Sequence, residues 1–203
     1  TIGTQNMNEL KSVVSNISNL QKEEYVREKN VKGMTKLLEP EIMRDFPEFN
    51  KDLIFSMCES NLRKIFNAIE SQDVTAINND EEFIYLREKI DQQIEDMKSN
   101  NVIEKFDNIE FNRHAIMAYN KNNGKATIKI STTLGYYYKT NRTDKKSYDE
   151  RKFTKNQVTF SVLCPNCGAP LRGLESKFCE YCGNHVEKIN LKIWKMSSYK
   201  EDY

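Results

Sequence analysis

The stretch 120-NKNNGKATIKISTTLGYYYKT-140 alternates with a period of two. Ile128, Ile130, Thr132, Leu134, Tyr136 and Tyr138 fall on one side, and Lys125, Thr127, Lys129, Ser131 and Thr133 on the other. Successive side chains of a strand point to opposite faces, so this pattern reads as a strand with one buried face. The Asn-Gly pair at 123–124 is a hairpin signal, because a tight turn needs backbone conformations that these residues adopt cheaply. The preceding run, "IEFNRHAIMAY" at 109–119, is therefore expected to pair with it, with Ile109, Phe111, Ala115 and Met117 on one side. Downstream, "KTNRTDKKSYDERK" is a charged loop and "VTFSV" at 158–162 a strand. "INLKIW" at 189–194 alternates again, with Ile189, Leu191 and Ile193 on one face.

Upstream of 102 the period is helical. Asn50 is placed to cap a helix on which Ile54, Cys58, Leu62, Ile65, Phe66 and Ile69 form one face. Cys58 lies inside that stripe and reads as a small buried hydrophobe. Phe83, Leu86, Ile90, Ile94 and Met97 keep step on a further helix. Asp80, Glu81 and Glu82 sit at its start, where the dipole favours acids, and "SNN" at 99–101 ends it. Residues 5–28 form a polar amphipathic helix with Met7, Leu10, Val14 and Ile17 on its apolar side. It is expected to dock on the domain, the alternative being a lead-in from an upstream anchor. Gly33, Pro40 and Pro47 break the pattern between 30 and 49. Helices first and strands after them imply an α+β fold, with helices covering the apolar face of an antiparallel sheet.

The chain has 31 basic and 30 acidic residues, a net charge of +1, which argues against a nucleic-acid footprint. Mean hydropathy is -0.75, and no run approaches the roughly 18 apolar residues of a membrane span. No signal-peptide pattern opens the sequence. It begins "TIGTQ" without Met, which leaves room for an upstream targeting or anchoring segment.

Four of the five cysteines form two CxxC pairs, Cys164/Cys167 and Cys179/Cys182, separated by eleven residues. This pattern suits zinc in a reducing compartment better than a disulfide scaffold. Four thiolates close the coordination shell, so the site is structural rather than catalytic. Gly168 and Gly183 follow the pairs and let the backbone turn toward sulfur. From 164 to 203 there are six basic and five acidic residues. Four thiolates with one zinc ion add negative charge, so the module is a poor phosphate surface. Phe178 and Tyr181 are expected to pack over the metal loop, and His185 to stay on the surface.

A basic concentration lies between 139 and 155, with seven Lys or Arg against three acids. Lys145, Lys146, Arg151 and Lys152, flanked by Tyr136, Tyr137, Tyr138 and Tyr148, are the candidate surface for a membrane or partner protein, if not a plain solvated hairpin tip. No P-loop, HExxH, GxSxG or dinucleotide fingerprint occurs. His114 falls out of phase with its apolar neighbours and reads as a lone exposed histidine.

Helices "NKDLIFSMCESNLRKIFNAIESQDVTAI" and "FIYLREKIDQQIEDMKSNN", strands "VIEKFDNIEF" and "KATIKISTTLGYYY", then "VTF" and "CPNCGAP…CEYCG", together resemble the Tim-forty-four-like domain family over roughly 45–200. That family is named for the membrane tether of the mitochondrial import motor. The likeness is nearer to bacterial members with a zinc ribbon ahead of a final strand bearing a Trp, here Trp194. It implies a cone-like nuclear-transport-factor-two-like fold, whose curved antiparallel sheet wraps helices around an apolar pocket. The corresponding division is a lead-in at 1–44, an α+β domain at 45–163, a zinc ribbon at 164–184 inserted before the last strand, and a final strand and tail at 185–203. The connector from "VTF" to the first CxxC is shorter than in relatives, which sets the ribbon tight against the sheet.

By that resemblance the expected function is a non-enzymatic, membrane-associated adaptor or transport-related scaffold at the cytoplasmic face of a membrane, carrying one structural zinc ion. The alternative is a small-molecule or lipid-binding module, its pocket lined by Phe83, Ile130, Leu134 and Phe160. A nucleic-acid-binding ribbon ranks third. An enzyme would need an ionisable residue inside the pocket, and none is obvious from the sequence.

Overall fold

The computed structural model describes residues 7–17, 26–122, 125–162, 164, 166–167, 169, 177–186 and 194–202. Beyond the helical residues 7–17, the described helices are α1 (Thr35–Asp45), α2 (Lys51–Ser71), α3 (Thr75–Asn78) and α4 (Arg87–Ser99), with a 3-10 turn at Glu81–Phe83. Among the described residues four antiparallel strands follow, β1 (Glu104–Asn122), β2 (Lys125–Thr140), β3 (Lys152–Val162) and β4 (Trp194–Asp202), in spatial order β1-β2-β3-β4. This is the α+β arrangement expected, with the cysteine module between β3 and β4.

Helix α2 begins where its cap residue predicts. Asn50 Oδ1 accepts from the Leu53 N–H at 3.1 Å. The helix ends at Gln72, which takes the left-handed conformation with φ 53°. Gln72 Nε2 then donates to Val102 O at 2.6 Å and ties the helix end to the start of the sheet. Ile54, Cys58, Leu62, Ile65 and Ile69 are all buried on the sheet-facing side.

Pro40 does not break the chain as expected but sits inside α1. A proline there forfeits one helical hydrogen bond. Burial of Leu38, Ile42 and Phe46 outweighs that loss, since these side chains pack into the main core. The segment before α1 caps the free edge of β1: Met34 N donates to Ile116 O at 2.8 Å, and Ile116 N to Thr35 Oγ1 at 2.9 Å. Gly33 lies so close to β1 that a Cβ on it would stand 2.1 Å from that of Ala115, so only glycine fits.

The β1–β2 ladder runs down to Asn122 opposite Lys125, as the hairpin reading requires. The strict alternation assigned to β1 fails. Its register shifts between Asp107 and Glu110, Phe111 and Arg113, and Ile116 and Ala118. Each bulge changes the phase of the side chains. Ile116 therefore enters the core, whereas Ala115 packs against Gly33.

Strand β4 lies later than expected, and the run Ile189, Leu191 and Ile193 is outside the described residues. A register shift opposite Thr159 and Phe160 leaves Ser197 as the extra residue of β4. Ser197 Oγ is 2.7 Å from Ser161 Oγ and donates to Thr159 O, which pins the bulge. Its effect is a parity change. Trp194 and Met196 join the core before the bulge, and Tyr199 packs on the same core after it. Trp194 lies 4.9 Å from Phe46, ring to ring.

Residues 7–17 are helical, and over this described part the expected docking is not made. Their apolar residues stay open to solvent, from 51% exposed at Ile17 to 68% at Leu10.

Phe160 is fully buried in the main core. Phe160→Ala should cost about 3–5 kcal/mol, read from the midpoint of urea unfolding.

Candidate functional site: a cysteine cluster and a tyrosine-lined cavity

The four expected cysteines come together. Cys164 Sγ lies 3.7 Å from Cys182 Sγ, and Cys167 Sγ 3.7 Å from Cys179 Sγ, with all four sulfurs within 4.8 Å of one another. A tetrahedron of sulfurs at about 2.3 Å from a metal has edges of about 3.8 Å. The cluster can hold one metal ion. Local backbone bonds shape each loop: Cys164 N donates to Ala169 O, Cys179 N to Asn184 O, and Gly183 N to Cys179 O. Gly183 adopts φ +72°, a left-handed conformation that suits glycine. A hydrogen bond from the Asn184 backbone and one from the Asn166 side chain pull the Cys182 thiol down to about 6, so it favours the thiolate that binds metal.

The module abuts the helical layer. Burial and the neighbouring Cys164 and Cys167 push the Tyr85 phenol up to about 12. Phe178 and Tyr181 do not cover the metal loop as expected; they are 57% and 58% exposed. His185 stays exposed and stacks edge-on with Phe178 at 5.5 Å.

A second feature lies at the other end of the sheet. The buried positions of β3 that share one face are Lys152, Thr154 and Asn156, then Val158, Phe160 and Val162; Ser161 is buried on the other. The apolar half closes against the helices as core. The polar half opens a cavity of about 140 Å³. Leu62, Ile65, Phe66 and Ile69 of α2 form one wall. Opposite them stand Tyr136 and Tyr138 from β2, Lys152 and Asn156 from β3, and Tyr199 and Glu201 from β4. Gln93 of α4 lines both this cavity and an open groove of about 650 Å³ between α4 and residues 141–144.

Lys152 is 7% exposed, and its Nζ lies 3.4 Å from Glu201 Oε1. The rings of Tyr138, Tyr136 and Tyr148 have their centroids 5.1, 5.8 and 5.8 Å from that nitrogen. Their faces attract a cation, more strongly where water is excluded. Desolvation holds the Lys152 amine below its ordinary range, while Glu201 opposes that shift. Glu104, buried on β1, accepts from Tyr138 Oη and from Lys145 Nζ, the latter at 3.1 Å. Burial pushes the Tyr199 phenol up to about 12, and its hydroxyl donates to Gln93 Oε1 at 3.4 Å.

These placements correct several expectations. Phe83, Ile130 and Phe160 lie in the closed core, and Leu134 packs with Tyr136 and Tyr138; none of the four lines either cavity. Lys152 belongs to the cavity rather than to a basic surface. Lys145 is paired with Glu104, and Arg151 with Glu110 at 2.5 Å, so Lys146 and Lys145 remain the exposed members of the proposed patch. An ionisable residue does lie in the pocket. His114 is not a lone surface histidine: its Nε2 meets Glu59 Oε1 at 2.6 Å and its Nδ1 meets Thr132 Oγ1 at 2.7 Å. It also stacks on Phe55 at 5.2 Å. Thr132 is fully buried, so this chain of bonds joins α2 to the sheet, and its members line neither of these two cavities.

The sequence carried a signal for Lys152. Extending the alternation of "VTFSV" back through "KFTKNQ" puts Lys152, Thr154 and Asn156 in phase with Val158. The signal for Glu201 was hidden by the Ser197 bulge.

Cys179→Ser removes one of four sulfurs. It should abolish stoichiometric metal binding, measured by atomic emission on the purified protein, and lower the melting temperature, each kcal/mol lost being worth about 2–4 °C at this size. No family model matches the chain, and none of the curated proteins compared with it matches.

Proposed function

We propose that this chain is a small-molecule-binding module, built on a cone-like fold of the Tim-forty-four-like type and stabilised by one structural zinc ion. The observation that carries this reading is the cavity between α2 and the polar half of β3 and β4. A polar strand face against an apolar helix face suits a small amphipathic ligand, with its hydrocarbon on Ile65 and Ile69 and its oxygen toward Lys152 and Asn156. Zinc is the ion favoured by four thiolates in a closed set, and its role is to join β3 to β4 rather than to react. The two features are far apart: β3 runs 11 residues from Lys152 toward the module, about 34 Å at strand rise.

A ligand that binds only the folded chain raises stability by about 2.7 kcal/mol at a hundred times its Kd. Butan-1-ol and butyrate, titrated while tyrosine fluorescence and melting temperature are followed, should give saturable changes. Ile69→Phe fills the helix-side wall and should abolish them. Unchanged curves with both compounds contradict the reading.

The membrane-associated adaptor is the second reading, and one observation favours it. Met7, Leu10, Val13, Val14 and Ile17 present an exposed apolar stripe on the helical residues 7–17. Flotation with anionic and neutral vesicles tests it. Co-flotation lost on Leu10→Asp with Val14→Asp supports peripheral attachment, and no flotation with either vesicle removes it.

A further inference from the structure

We propose that Lys152 captures small carbonyl compounds covalently, as an iminium held in the tyrosine ring. This rests on the ligand-cavity reading and names its ligand class: short-chain aldehydes and ketones.

The amine has the surroundings that such a reaction needs. Lys152 is 7% exposed and lines the cavity, so a reagent small enough for about 140 Å³ reaches it there. Glu201 Oε1, 3.4 Å from the nitrogen, is buried and makes no hydrogen bond. That oxygen can take the ammonium proton. The neutral amine then adds through its lone pair to the carbonyl carbon. The C=O π bond breaks, and one proton moves from nitrogen to oxygen, giving a carbinolamine. Glu201 returns its proton to the carbinolamine hydroxyl, the C–O bond breaks, and water departs as the nitrogen lone pair forms C=N. The net change is ammonium plus carbonyl to iminium plus water, with one positive charge before and after.

Charge conservation is the reason for placing this chemistry here. The site already holds a buried cation, faced by Glu201 and by the rings of Tyr136, Tyr138 and Tyr148. An iminium keeps that charge at the same nitrogen, so the interactions that stabilise the ammonium stabilise the product. The alkyl part of the reagent lies against Ile65 and Ile69, and water leaves on the Gln93 side, where cavity and outer groove share a wall. Lys145 also lines the cavity, but it is exposed and already donates to Glu104, so its ammonium is solvated and paired where that of Lys152 is enclosed by rings.

The test uses the zinc-loaded full chain, butanal as probe and sodium cyanoborohydride, whose hydride converts the iminium to a stable secondary amine. Butan-1-ol occupancy is followed in parallel by tyrosine fluorescence. At substoichiometric butanal, intact mass and peptide mapping should find a single butyl adduct on Lys152. Lys152→Met should remove it. Glu201→Gln, which keeps the amine, should slow labelling about a hundredfold. Adducts scattered over exposed lysines with Lys152 unlabelled, while butan-1-ol still binds saturably, overturn the capture proposal and leave the cavity reading standing. Neither labelling at Lys152 nor butan-1-ol binding overturns both. Labelling of Lys152 at an unchanged rate in Glu201→Gln overturns the proton-transfer role given to Glu201 and the mechanism with it.

Discussion

A lysine ammonium on the inner face of a sheet cannot be buried bare. Leaving water costs an ion several kcal/mol unless charge and dipoles replace the solvent. Lys152 occupies such a position, and much of the architecture around it answers that requirement. Glu201 supplies the countercharge from β4, and three tyrosines supply ring faces from β2 and the following loop. Glu104 on β1 is satisfied in turn by Tyr138 and Lys145. Apolar packing runs along the rest of β3, where Val158, Phe160 and Val162 meet the helices. The sheet is thus divided along its length into a closed core and an open, polar end.

Register is what keeps the division in place. Tyr199 and Glu201 reach the cavity only because Ser197 is an extra residue in β4; without that parity change they would face away while Trp194 and Met196 faced in. The Ser197–Ser161 hydroxyl contact fixes the bulge, and Lys195, itself buried, donates to Glu82 in the 3-10 turn. The cysteine cluster closes the β3–β4 connection at the far end, next to Tyr85. A tetrathiolate site has no coordination position left for substrate. Its proposed contribution to function is indirect, through the placement of β4.

The sequence made the architecture legible where periodicity was uninterrupted. The side of β2 that carries Ile128 to Tyr138 is buried, as is the stripe on α2 apart from half-buried Phe66, and the two CxxC pairs converge; Ser131 and Thr133, on the opposite side of β2, are buried as well. Bulges defeated the same reading elsewhere. Three register shifts in β1 moved Ile116 inward and brought His114 to Glu59 and Thr132. One in β4 concealed Glu201. Charge also misled: Lys152 stands in a run of surface-like residues, and only its phase with Val158 marks it as internal. The most apolar positions, Phe83, Ile130, Leu134 and Phe160, are filled by their neighbours and line neither cavity. The opening forms where polar side chains prevent closure.

In crystals of the protein soaked with butan-1-ol, density should lie between α2 and the β3–β4 end of the sheet, with the hydroxyl toward Lys152 and the chain along Ile65 and Ile69. A cavity collapsed by the Tyr199 ring, or alcohol bound only outside it, would mean that no ligand site lies there.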